Sequence, residues 1–172
     1  MKKLMIIAGV MMLALASQAA QFSWQLSASK STVTSLGLDG ASVYMVLAAD
    51  YDSSKQYSLA DIQSVAKSQG TLTVGQMGAG TGPVTVNDSW VVENTTYSWY
   101  AVVINDDQYY VSSAATTSTA VSDTATPQNT TFSSKTEMAT ASNWQTLAIP
   151  EPTSGLLMLV GLGALALRRK RA

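Results

Sequence analysis

Two apolar runs, one near each end, decide how much of this 172-residue chain is left to fold. Near the start, Leu4 to Leu15 is apolar and too short to span a bilayer. Near the end, Ser154 to Leu167 is an uncharged apolar run of 14 residues. As a helix that run measures about 21 Å, against a hydrocarbon core of roughly 30 Å that asks for about 20 residues. Setting both ends aside leaves about 130 residues, 20–149, enough for one domain.

The first segment reads as a secretory signal peptide over residues 1–19. Lys2 and Lys3 form a basic n-region, Leu4 to Leu15 the apolar h-region, and Ala14 to Ala20 a stretch rich in small residues. Ser17 and Ala19 satisfy the small-residue rule for cleavage before Ala20, with Ala14 and Ala16 offering an earlier site. An uncleaved anchor helix is the competing reading. The partners implied are the secretory translocon and a signal peptidase.

The last segment has three parts in a fixed order. Ile149-Pro150-Glu151-Pro152-Thr153 comes first, then the apolar run, then Arg168-Arg169-Lys170-Arg171 and a final Ala172. The basic cluster acts as a stop-transfer that stays cytoplasmic under the positive-inside rule, while Gly155, Gly161 and Gly163 are tolerated in lipid. Two prolines around Glu151 hold the backbone extended, since proline disfavours helix in the residue before it. A plain tail anchor, its helix merely broken by proline, is the simpler alternative. The combination over residues 149–172 resembles the PEP-CTERM sorting signal of Gram-negative bacteria. That resemblance implies an exosortase-type membrane enzyme as partner, with Pro150, Glu151 and Pro152 as the motif it processes and residues 154–167 as the membrane-contacting segment. It implies an inner-membrane intermediate, then the cell envelope, surface or extracellular space. It brings no activity for the rest of the chain.

Composition excludes several function classes. Residues 20–149 carry four lysines and no arginine against ten carboxylates, a formal −6. Phosphate binding rests on Lys and Arg, so nucleic acid is not an expected partner. The chain has no Cys and no His, which removes disulfides, His-based triads, Cys nucleophiles and His/Cys zinc sites. No cofactor is called for.

Along residues 20–113 the signals are mainly those of β structure. Gln21 to Ser27 alternates polar and apolar. Ser42 to Ala49 is a continuous apolar run of the kind buried on both faces of a sheet. Thr71–Val74 reads as a short strand, Gly75 to Pro83 as a glycine-rich mobile loop, and Trp90–Val92 as the start of another strand. Thr96 to Ile104, the turn Asn105-Asp106-Asp107 and Gln108 to Ser113 predict a β-hairpin. One helix is expected over about 58–69. Ser58 is its N-cap, Asp61 completes a near capping box, and Gly70 closes it. The expected fold is a small antiparallel sandwich or curled sheet with one short helix. From Ser112 to Thr146, 17 of 35 residues are Ser or Thr. The composition predicts a flexible stalk over 114–148, with Phe132, Trp144 and Leu147 giving it the option of a returning strand near 143–148.

Three candidate chemistries stand beside solvated turns and core packing. Asp50, Asp52 and Asp106, Asp107 are carboxylate clusters that could hold Ca²⁺, although the first lacks the Gly and Glu that complete an EF-hand loop. Two of the acids could serve as a glycosidase pair if set across a cleft. Trp24, Trp90, Trp99 and Trp144, with seven Tyr and two Phe, could stack on sugars, yet such rings more often form core and cross-strand pairs. Three sequons, at Asn87, Asn94 and Asn129, lack an acidic residue two positions earlier. The expected function is a non-enzymatic envelope or matrix protein, itself the substrate of the processing enzyme, with exopolysaccharide a candidate partner. The alternative is an extracellular glycan-binding module on a simple membrane anchor.

Overall fold

The computed structural model describes residues 20–134 and 136–149. The expected signal peptide and apolar C-terminal helix lie outside these residues. Strand β1 (Ala20–Ala28) buries Ala20, Phe22, Trp24, Leu26 and Ala28, every second residue, as a pleated strand with one core face must. After a short helix α1 (Lys30–Ser35), β2 (Ser42–Leu47) leads to helix α2 (Leu59–Val65) and β3 (Ala66–Thr71). Three short strands follow, β4 (Thr73–Val74), β5 (Ala79–Gly80) and β6 (Val84–Val86). The long hairpin is β7 (Thr96–Asn105) with β8 (Gln108–Val111), turned at Asp106, whose φ of 49° is a conformation Asp tolerates. Then come β9 (Thr116–Thr119), β10 (Val121–Ser122), β11 (Asn129–Ser133), two 3₁₀ turns (Glu137–Ala139 and Ala141–Asn143) and β12 (Trp144–Thr146).

The strands make two sheets. In the first, β1 pairs in parallel with β11 and antiparallel with β5, β6 and β10. In the second the order is β12-β8-β7-β2-β3, all antiparallel, with β9 also on β7. Their inner faces share one core: Phe22, Trp24 and Leu26 from the first sheet meet Val43, Met45, Trp99, Ala101, Val103 and Tyr110 from the second. The outer face of the second sheet carries a smaller core, in which Tyr44, Val46, Val102 and Tyr109 pack under Tyr57 and Ile62 of the α2 region. So β2, β7 and β8 are apolar on both faces, as the unbroken apolar run of β2 required.

Several expectations need correction. The helix ends at Val65, not at 69. Ala66 leaves the helical region (φ −63°, ψ 135°) and residues 66–71 become β3, because pairing with β2 satisfies their backbone. Its N-terminus is a full capping box: Ser58 Oγ accepts from Asp61 N at 3.1 Å, and the Asp61 carboxylate accepts from Ser58 N at 3.0 Å. Trp90–Val92 is turn and loop, and the glycine-rich loop contains β5. The Ser/Thr-rich stretch is no stalk. It supplies β9, β10, β11 and β12, with Ser118, Ala120, Ser134 and Met138 buried. Small side chains suffice there, because β1 and β7 bring the bulky residues that fill the core.

Candidate functional site

Of the residues expected at the two processing regions, only Ala20 is described. It is fully buried as the first residue of β1, opposite Ser122. Ser17, Ala19, Pro150, Glu151, Pro152, Arg168, Arg169, Lys170 and Arg171 lie outside the described residues.

Of the clustered acids, Asp50 and Asp52 are engaged in local bonds. Asp52 accepts from the backbone N and Oγ of Ser54 at 2.9 and 2.7 Å, bonds that hold its carboxyl below the usual range. Asp50 pairs with Lys67 at 3.1 Å, and Asp61 pairs with Lys55 at 2.8 Å. Asp106 and Asp107 form the β7–β8 turn. Among the described residues no three His, Cys, Asp or Glu gather as a metal-binding group would, and no buried side-chain N or O lacks a hydrogen-bond partner.

The aromatic rings turn inward. Trp24 and Trp99 are fully buried, and Phe22 stacks on Tyr97 at 5.4 Å with Trp90 edge-on to both. On the outer face Tyr51, Tyr57, Tyr100 and Tyr109 form a second set, with Tyr51 stacked on Tyr57 at 5.3 Å. Burial pushes the Tyr51 phenol up to about 12. Tyr110 donates to Glu137 Oε2 at 2.6 Å. That bond draws the carboxyl down, while burial, reinforced by the carboxylate, pushes the phenol up. No described aromatic ring is largely exposed.

The most informative geometry is where the described chain stops. Strand β12 lies at the edge of its sheet, with Trp144, Gln145 and Thr146 opposite Tyr110, Tyr109 and Gln108. Tyr109 donates its hydroxyl to Gln145 Oε1 at 2.7 Å, and Trp144 Nε1 donates to Met138 O at 2.8 Å. Beyond β12, Leu147 N donates to Asp107 O at 2.7 Å and Ala148 N to Tyr57 O at 2.8 Å, while Gln56 Nε2 donates to Thr146 O at 3.0 Å. Ile149, 85% exposed, stands past the last of these bonds. Leu59, Ala60, Gln63, Leu147, Ala148 and Ile149 line a shallow apolar groove at this exit.

A family model described as the PEP-CTERM protein-sorting motif matches residues 148–171. The chain carries a PEP-CTERM sorting signal. Ala148 and Ile149, the first two residues matched, are also the last two described, and both line the groove beside β12. The match covers this segment alone. No curated protein and no solved structure matches the chain. A PEP-CTERM signal implies export and sorting to the cell envelope by an exosortase. Among the described residues no helix is long and apolar enough to cross a membrane.

Proposed function

We propose that this chain is an exported cell-envelope or extracellular-matrix protein whose C-terminal segment is the substrate of an exosortase-type processing enzyme and whose β domain has no catalysis of its own. The PEP-CTERM match at 148–171 carries this reading. The residues around it support the reading. The apolar run and the Arg168–Arg171 cluster hold the segment in the inner membrane during export, with the Pro-Glu-Pro at its outer edge. The absence of Cys and His removes the common nucleophile–base pairs, and Asp50, Asp52 and Asp61 are engaged in an ion pair, a turn and a cap.

The mass and C-terminal peptide of the mature protein from its native host test the proposal. A C-terminus near Pro150–Pro152 is the expected result. A mature protein that keeps Arg168–Ala172 is a plain membrane-anchored chain, and the processing claim is then wrong.

A further inference from the structure

The sorting signal and the fold overlap. Every residue from Trp144 to Ala148 is fastened: three pair with β8, Leu147 is bonded to Asp107, Ala148 to Tyr57, and Thr146 is held by Gln56. One described residue, Ile149, separates the last of these bonds from Pro150. Enzymes that cut or transfer a peptide bind it extended over several residues on the N-terminal side of the reacting bond, because a strand lying in the cleft presents both edges of its backbone. In the folded domain the N–H groups of Leu147 and Ala148 are already committed, and the groove wall stands beside them. A bulky membrane-embedded enzyme cannot close around residues 145–148 while Gln145 and Thr146 lie on β8 and Leu147 and Ala148 are bonded to Asp107 and Tyr57.

We propose that β12 is a detachable latch: the processing enzyme engages a footprint that includes residues Trp144–Ile149, and it gains that footprint when β12 parts from β8. The proposal rests on the processing reading above. The strand is built for release. It is three residues long, lies at the sheet edge, and exposes Gln145 and Thr146. Short edge elements open at far lower cost than the global fold. Its departure lifts the half-buried Trp144 off Tyr110 at the rim of the core, but leaves β8 still paired with β7 and the Trp24–Trp99 contact in place. The domain thus retains its fold while the tail is handled.

The test uses the full chain in its native host, followed by the mass of the C-terminus over time. Thr146 and Gln108 are exposed cross-strand partners, and the chain has no other cysteine. Thr146→Cys with Gln108→Cys therefore locks β12 to β8 in the oxidising envelope, and Thr146→Ser with Gln108→Ser is the unlocked control. The locked chain is expected to lose its tail at least about tenfold more slowly than the control. Inserting six Gly/Ser residues between Ile149 and Pro150, about 20 Å of extended chain, is expected to restore the locked chain to the control rate. Equal rates for locked and control chains overturn the latch, as does a locked chain that the insertion fails to rescue. A wild-type chain that keeps its tail overturns the processing reading itself, and the latch with it. That outcome is distinct from the others because the unlocked control then fails too.

Discussion

The indole rings of Trp24 and Trp99 meet edge to face with centroids 5.6 Å apart, one from each sheet, and each N–H finds a serine: Trp24 donates to Ser68 Oγ at 3.1 Å and Trp99 to Ser118 Oγ at 2.8 Å. Such a pair contributes about 0.5–1.5 kcal/mol beyond its area, and each indole is fully buried. Trp99→Ala is expected to destabilise the domain by about 3–5 kcal/mol. Ser118→Ala, which strands a buried N–H, is expected to cost about 1–3 kcal/mol. Urea unfolding of the exported protein, followed by tryptophan fluorescence, measures both. A Trp99→Ala loss below about 1 kcal/mol would contradict the shared core.

Gly80 sits where β5 crosses β1 with no room for a side chain. A Cβ built there falls 2.6 Å from Leu26 O, a backbone atom that cannot step aside alone. Gly80→Ala is expected to cost about 1–3 kcal/mol by overpacking. Gly78→Ala, where a Cβ meets nothing within 4 Å, is the matched control and is expected to be near neutral. Thermal melts of the two variants decide it.

Acid should weaken the domain through identifiable carboxylates. Asp61, bonded by Lys55 and by the Ser58 cap, and Glu137, bonded by Tyr110 and Ser113, both titrate below their ordinary values. A depressed folded-state pKa means the stabilisation is complete above the unfolded value, about 4, and is lost as pH falls through the folded value. The denaturation midpoint is therefore expected to drop steadily below about pH 4, and Asp61→Asn with Glu137→Gln is expected to flatten that slope. Ser58→Ala, which removes the cap itself, is expected to cost about 1 kcal/mol at neutral pH.

Base should act on the phenols in the opposite sense. Burial holds Tyr51 up to about 12, and Tyr110 is also raised. The unfolded chain releases these protons near 10 and the folded one keeps them. Their stabilisation is thus full below about pH 10 and is lost as pH rises toward 12. A spectrophotometric phenolate titration that shows all seven tyrosines ionising together near 10 would contradict the buried positions.

Changing the sorting motif should alter the mature end and leave the domain alone. Pro150→Ala with Pro152→Ala removes the restraint that keeps the backbone extended there. The expected result is a chain that retains residues 150–172 while its urea midpoint stays unchanged. Mass spectrometry of the envelope fraction, beside a denaturation curve, separates the two effects.

The parts of the fold that were legible are those whose residues announce themselves locally. The β7–β8 hairpin could be read because aromatic and β-branched residues flank an Asn-Asp-Asp turn. The α2 start could be read because Ser58 and Asp61 satisfy each other three residues apart. A returning strand near 143–148 was legible from Trp144 and Leu147 and is β12, whereas the strands between Thr116 and Ser133 were not, because they are defined by their partners. Asn129–Ser133 becomes a strand by lying parallel to Ser23–Ser27, and no property of Asn-Thr-Thr-Phe-Ser by itself reports that neighbour. Likewise Ala66–Thr71 carried the tail of a helical pattern until pairing with β2 overrode it. The sorting motif was legible because it is a linear signal. The bonds that fasten Leu147 and Ala148, just ahead of it, to Asp107 and Tyr57 were not, since they join backbone atoms far apart in sequence.

Strand β1 has consequences for the order of events during secretion. Its partners lie at residues 79–80, 84–86, 121–122 and 129–133, and none lies within 50 residues of it. A chain delivered from its N-terminus therefore presents β1 first and waits for the last sixth of the domain before that strand can be enclosed. Until then Phe22, Trp24 and Leu26 have no complete core to enter. The second sheet draws its strands β2, β3, β7, β8 and β9 from residues 42–119 and needs none of these partners, so the same topology makes the enclosure of β1 a late step for any chain that emerges from its N-terminus.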